Sequence, residues 1–409
     1  MEPDVGARIR MLREAAGLQA QDLASRIGID ATALSKVENG KRAVKTAELA
    51  RIADALKVSP LALLEDSPLL TRLPMAARRA GASVTSGRAY DELLSMTELH
   101  VILAEAGLPT SPNLAQVPDV AGLSWLDAAS TMAAFASKGL GTDGYGDQRL
   151  GVLADAIENR LAVDVLVDAF VDDPLSGAAL TDHAFPLIFV NGAFSRPRSL
   201  FTLAHELGHV LLGHVDDGIA LDRELASSTE LERTANAFAA IFLMPEDSIQ
   251  TVLDRMGRRT TTIVHLAHLF GVSFESIVYR LHNLHEIDAS GRDTLTKFNW
   301  QQLLAKLAAD PGGCELTKAQ IGQLQTRGAR RPEPRLPGLL VKRALAGFQK
   351  GHISVRPLAG LLRDDADDVL ERLADGDAFD RENADLNQAD LKRGALLESP
   401  EEAFAGNPV

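Results

Sequence analysis

The spacing of apolar positions divides the chain into stretches of different character. Between residues 5 and 65, Leu23, Ala24, Ile27, Ile29, Leu34 and Val37 fall at helical intervals. They predict helices over Ala20–Ile27 and Ala31–Glu38, with Gly28-Ile29-Asp30 as the tight turn between them. Residues 67–145 carry Pro68, Pro74, Pro109, Pro112, Pro118 and a Gly-rich stretch from Gly139 to Gly146. Within them, only Tyr90–Gly107 and Trp125–Lys138 keep helical spacing. The pattern tightens from Arg149, where Leu150, Leu153, Ile157 and Leu161 recur as on one helix face. Val163–Val167 and Pro186–Val190 are short, apolar and β-branched, as strands are. The run FTLAHELGHVLLGH predicts a helix with Ser199 at its N-cap. A polar loop, Asp216–Thr229, follows, and then a helix over Glu230–Leu243 that stops at Met244-Pro245. Residues 246–288 predict two or three more helices, and Leu336–Leu373 is helical. The acidic end, Arg381–Val409, has a disordered composition. The fold class expected is mainly α with a small β-sheet (α+β).

Composition narrows the setting. The chain has 409 residues, enough for two to four domains. Its 46% hydrophobic and 24% charged residues are those of a globular protein. A net charge of -14 confines any DNA binding to one local module. The single cysteine, Cys314, excludes an intrachain disulfide framework and fits a reducing compartment. No apolar run reaches the ~18 residues of a spanning helix, and the start of the chain has no signal-peptide core. A cytoplasmic protein without a membrane partner is expected.

His205-Glu206-Leu207-Gly208-His209 brings chemistry into the picture. Four residues of helix turn about 400°, so His205 and His209 lie about 40° apart and can reach one ion. Glu206, about 100° round from His205, would sit beside the ion, within reach of water. The flanking Phe201, Leu203, Ala204, Leu207, Val210, Leu211 and Leu212 predict a buried helix. Such a helix seldom carries two histidines and a carboxylate without partners. A histidine ten positions after His205 would complete one common pattern, but Val215 stands there. His214 is one position off, and Leu212 occupies the place of the turn glycine. The next long helix offers Glu232, on one face with Ala235, Asn236 and Ala239. Its neighbour Glu230 is nearly as good a candidate on spacing alone. The strand Pro186–Val190 could present a sheet edge that binds a peptide as an added strand.

The run IFVNGAFSRPRSLFTLAHELGHVLLGH, then ERTANAFAAIFLMP and GVSFESIVYRLHNL, resembles the ImmA/IrrE family of metallopeptidases over roughly residues 147–288. The resemblance implies a zincin-like domain holding one Zn2+ per chain through His205, His209 and Glu232, with Glu206 as general base. Histidine and carboxylate ligands also accept Mn2+. It further implies a protein substrate of repressor type, in stress response or mobile-element control.

The segment G-L-x-x-x-D-L-A…L-S-K-V-E-N-G-K-R resembles Xre/Cro-type repressor domains, implying a five-helix unit over residues 1–66. By that resemblance, Thr32, Ala33, Ser35 and Lys36 face the major groove of an operator, while Asn39, Lys41 and Arg42 reach phosphates. Ala20 stands where the family usually has Gln, so Gln21 is the remaining contact at that end. Acidic and basic residues balance over 1–66, which predicts weak binding as a monomer and a homodimer across two half-sites. The short basic patches Arg78-Arg79 and Arg327–Arg335 are expected to be solvated linkers.

These readings predict a helix-turn-helix domain over 1–66, a partly helical connector over 67–146, a metallopeptidase domain over 147–288 and a helical extension over 289–409. The function expected is transcriptional regulation joined to zinc-dependent cleavage of a repressor or antitoxin-like partner, or of the connector itself. The alternative is a transcription factor or antitoxin whose peptidase-like domain senses or binds without proteolysis.

Overall fold

In the computed structural model, residues 5–64, 87–140 except 111 and 115, 149–214 except 174, 183 and 184, 219–222, 229–310 and 314–374 are described, together with Leu70 and Leu73. The Arg78-Arg79 pair, most of the polar loop after the histidine helix and the acidic end lie outside them.

The chain is mostly helical with one small sheet. Five helices open it: α1 (Val5–Ala15), α2 (Ala20–Ile27), α3 (Ala31–Glu38), α4 (Thr46–Leu56) and α5 (Pro60–Leu64). Helix α2 ends on Gly28 in the left-handed region (φ 73°), the conformation that turns the chain into α3. Ile9, Leu12, Leu23, Ile27, Leu34, Val37 and Ile52 form the core of this unit. Arg13 clamps α1 to the end of α3 through two hydrogen bonds to Glu38, at 2.7 and 3.1 Å.

The sheet has strands β1 (Asp164–Asp168), β2 (Gly177–Asp182), β3 (Phe185–Asn191) and β4 (Ile219–Asp222) in the order β1-β3-β2-β4. β1 runs parallel to β3, and the other pairs are antiparallel. β3, expected as a candidate edge, lies between two partners and cannot accept another strand. The outer side of β1 is met by a bridge between Val167 and Arg335. Among the described residues, β4 is therefore the open edge.

Alternation along the strands divides the core. Val165, Val167, Ile188 and Val190 pack with α7 (Trp125–Leu140), α8 (Arg149–Ala156), α9 (Arg196–Leu212) and α10 (Glu230–Leu243). Helices α11 (Glu246–Met256), α12 (Thr260–Phe270) and α13 (Phe274–Asn283) extend that core. Leu166, Leu187 and Phe189 face the other way, onto α6 (Arg88–Glu105), α17 (Gly338–Gln349), α18 (Val355–Leu362) and α19 (Ala366–Ala374). Three further helices, α14 (Ala289–Thr296), α15 (Trp300–Ala309) and α16 (Lys318–Arg327), lead from α13 to α17. Helix α6 also sends Val101 into the core of α1–α5, and its Tyr90 hydroxyl donates to the Lys57 carbonyl at 2.9 Å. No single described helix is long and apolar enough to cross a membrane.

Charged groups fasten α17 to the sheet. Arg335 pairs with Asp155 at 2.6 Å and with Glu158. Glu158 and Asp164 accept backbone N–H groups of Gly338, Leu339 and Leu340 at the start of α17. A helix N-terminus leaves such donors open and favours negative charge. Arg327, in the patch expected to be solvated, is instead buried and donates to the Ala267 and Val272 carbonyls.

Burial, with Glu158 nearby, raises the Asp164 carboxyl to about 7. Burial and then Arg343 lower the His100 imidazole to about 3. The two have opposite effects on stability. The Asp164 contribution is full below the ordinary 3.8 and is lost as pH rises through 7. That of His100 is present above 6.5 and lost as pH falls toward 3. Asp164→Asn keeps an acceptor for α17 without the charge. Its urea midpoint is expected to gain on that of the wild type between pH 5 and pH 8. An equal difference at both pH values would show that Asp164 ionisation does not control this pH dependence.

Candidate metal centre

Helix α9 begins at Arg196, with Ser195 in the N-cap position and Pro197 in the first turn, where its fixed φ suits a helix start. Ser199, expected as the cap, lies inside that turn and is buried. The Arg330 carbonyl accepts the Arg196 N–H at 3.1 Å, and the Arg331 carbonyl accepts its Nε–H at 3.0 Å, so the segment before α17 braces the start of α9. The helix stops on Gly213 in the left-handed region.

Helix α10 starts with Thr229, whose hydroxyl accepts the Glu232 N–H at 3.3 Å. The two helices approach closely because Gly208 has no side chain. A Cβ there would stand 2.8 Å from the Phe238 ring and 3.4 Å from the Ala235 Cα. This small contact brings Glu232 to the histidines.

His205 Nε2 and His209 Nε2 are 3.0 Å apart. Glu232 Oε2 lies 3.2 Å from His205 Nε2, and Oε1 lies 3.5 Å from His209 Nε2. Ligand atoms at about 2.0–2.1 Å around a tetrahedral ion would be about 3.3 Å from one another. The three separations bracket that value, so the donor set fits zinc in both spacing and chemistry. His205 and His209 are buried, whereas the Glu232 side chain is 20% exposed and opens one side to solvent. Burial pushes the Glu232 carboxyl up, but its hydrogen bonds with His205 and His209 outweigh this and hold it well below the usual carboxylate range. Glu230, the rival carboxylate, is exposed and is not part of this cluster. Nor is His214, whose ring centroid is 5.5 Å from that of His209.

Glu206 is fully buried and lies under the end of β2. A Cβ on Gly177 would come within 2.4 Å of Glu206 Oε1 and 2.6 Å of Thr202 Cγ2. Only glycine lets the strand pass over this carboxylate. Gly177 pairs with Asp222 of β4, so Glu206 lies near the open edge of the sheet. Sequence reasoning missed Gly177 because its importance comes from a contact 29 positions away. The Thr229-x-x-Glu232 spacing, a helix-start signature, was readable in the sequence.

At the other end of the chain, Gln21, Thr32, Ser35, Lys36, Asn39 and Lys41 are exposed, and Ala33 is half-buried. The Asn39 amide donates to the Ser35 carbonyl at 2.7 Å and so helps to close α3. Arg42 Nη2 is held by Glu48 at 2.6 Å and Nη1 is buried, which leaves that guanidinium poorly placed to reach a phosphate.

Residues 158–282 match the IrrE N-terminal-like domain. Residues 4–66 match a helix-turn-helix domain. The chain is similar to the radiation response metalloprotease IrrE of Deinococcus radiodurans, with 39% identity over 106 residues, covering 24% of this chain and 32% of the relative. It is also similar to the protein of the same name from Deinococcus deserti, with 33% identity over 104 residues, covering 24% and 37%. The chain thus spans about a third of the length of these curated relatives. It joins a helix-turn-helix domain to a region similar to the IrrE N-terminal-like domain.

Proposed function

We propose that the chain is a DNA-binding regulator whose metal-dependent endopeptidase centre cleaves a protein partner of repressor or antitoxin type, or its own connector over residues 67–146. The observation that carries this reading is the cluster of His205, His209 and Glu232, at tetrahedral separations, with the buried Glu206 next to His205 on the same helix. His205, His209 and Glu232 would hold the ion. Zinc bound there would supply Lewis acidity toward a peptide carbonyl and make nearby water acidic enough to react near neutral pH. Glu206 takes the proton of the attacking water and passes it to the leaving amine. Burial keeps bulk water away from this carboxylate. Strand β4 offers backbone donors and acceptors along which an extended peptide can align, without demanding a particular sequence. The exposed side chains of α3, Lys36 foremost, would read or hold the operator.

The test is to incubate zinc-loaded protein, with and without chelator, alone and with peptides from a bacterial proteome digest. New termini that disappear with chelator support the reading, and termini inside 67–146 would identify self-cleavage. No chelator-sensitive cleavage of any peptide or of the chain itself would overturn it.

The contact over Glu206 gives a further prediction. Gly177→Ala is expected to push the carboxylate aside and slow cleavage by about 10²-fold, the scale for a base misplaced by an ångström. Zinc content should not change. Full activity in this variant would show that the contact does not position the base.

A further inference from the structure

Beside the metal cluster lies a groove of about 530 Å³ between residues 118–128, the end of α9 and the first turn of α10. His214 forms part of its wall, and the His214 ring lies edge-on to the His209 ring, 5.5 Å away between centroids. The groove therefore begins one side chain from the candidate metal site.

Its lining has a definite chemistry. Leu123 and Leu231 enter from different elements and are 47% and 43% exposed. Both line the groove together with Trp125 and Leu211. No described segment of the chain covers either leucine. Paired exposed apolar groups at the mouth of a cleft gain free energy when a partner's apolar side chain covers them. The charged side chains in the lining are Asp119 and Glu230, and no lysine or arginine accompanies them. An acidic side chain would meet two like charges there.

We propose that this groove is the specificity pocket of the endopeptidase centre. It receives an aliphatic or aromatic side chain of the protein substrate close to the scissile bond and rejects aspartate and glutamate. The proposal rests on the peptidase reading above, and two measurements separate the failure of one from the failure of the other.

The first is cleavage-site profiling of a bacterial proteome digest by zinc-loaded full-length protein, with Glu206→Gln as the blank. Apolar residues are expected to be enriched, and acidic ones depleted, at one fixed position from the cut. The double variant Leu123→Asp/Leu231→Asp should lose that enrichment at least 10-fold. A second pair, Leu123→Gln/Leu231→Gln, should lose it as well, which guards against a folding defect from the added charge. Glu206-dependent cleavage without a fixed apolar position, or with the same profile in both double variants, overturns the pocket and leaves the peptidase standing.

The second measurement needs no turnover. The chain has two tryptophans, so Glu206→Gln combined with Trp300→Phe leaves Trp125 as the reporter in the groove. A capped hexapeptide with a central leucine is expected to change Trp125 fluorescence saturably. Its aspartate counterpart should not, and neither peptide should act once Leu123 and Leu231 are replaced. If no peptide is cleaved at all, this titration still decides the groove: a leucine-specific signal supports it, and no signal overturns it.

Discussion

His205→Ala is expected to lower bound zinc from about one ion per chain to near zero and to abolish chelator-sensitive cleavage. The site has three candidate donors, with Nε2 of His205 at 3.0 Å from that of His209 and 3.2 Å from the Glu232 carboxylate. Removing the first leaves one imidazole and one carboxylate, and structural or catalytic zinc sites rarely persist on two protein ligands. The fold should survive, because the helix is also anchored by Leu200, Leu203, Ala204 and Leu207, all buried. Elemental analysis after dialysis, set beside circular dichroism, separates the two effects. One zinc per chain retained in His205→Ala would place the ion elsewhere and end the reading of this cluster.

Glu206→Gln should separate the two effects. The amide matches the carboxylate in shape but accepts no proton, so zinc stays bound while cleavage slows by about 10²–10⁴-fold, the usual range for a lost general base. The side chain is fully buried and lies outside the three-residue cluster, so its loss should not empty the site. The inactive variant should also retain its protein partner long enough for isolation. If zinc and activity disappear together, Glu206 acts as a ligand; if activity is unchanged, the base is another group.

Much of this was legible in the chain because the determinants are local. Helices α2 and α3 follow from Leu23, Ile27, Leu34 and Val37 at helical spacing and from Gly28 between them, and the structure has the same bounds. The histidine pair follows from the geometry of one helix. The distant determinants were harder to read. β2, with the sequence GAALTD, lacks β-branched alternation and becomes a strand through pairing on both sides. β3 was readable as a strand, but its interior place depends on which strands flank it. The connector gave little sign that α6 would enter two cores, because Val101 and Leu103 are alike in sequence and differ only in what they meet. Similarly, nothing near residue 340 announces that Leu340 and Ala344 cover strands about 150 to 175 positions earlier.

That last arrangement sets an order of events during synthesis. The α1–α5 unit and α6, which completes its core, are translated before the sheet. β3 follows, but α17, which with α6 covers Leu166, Leu187 and Phe189, is translated roughly 150 residues later, about 7–30 s at ordinary elongation rates. Throughout that interval, the nascent chain carries its helix-turn-helix unit and a sheet whose apolar face is covered by α6 alone. A ribosome that stalls before α17 releases a product with its helix-turn-helix unit complete but one face of its sheet unsealed.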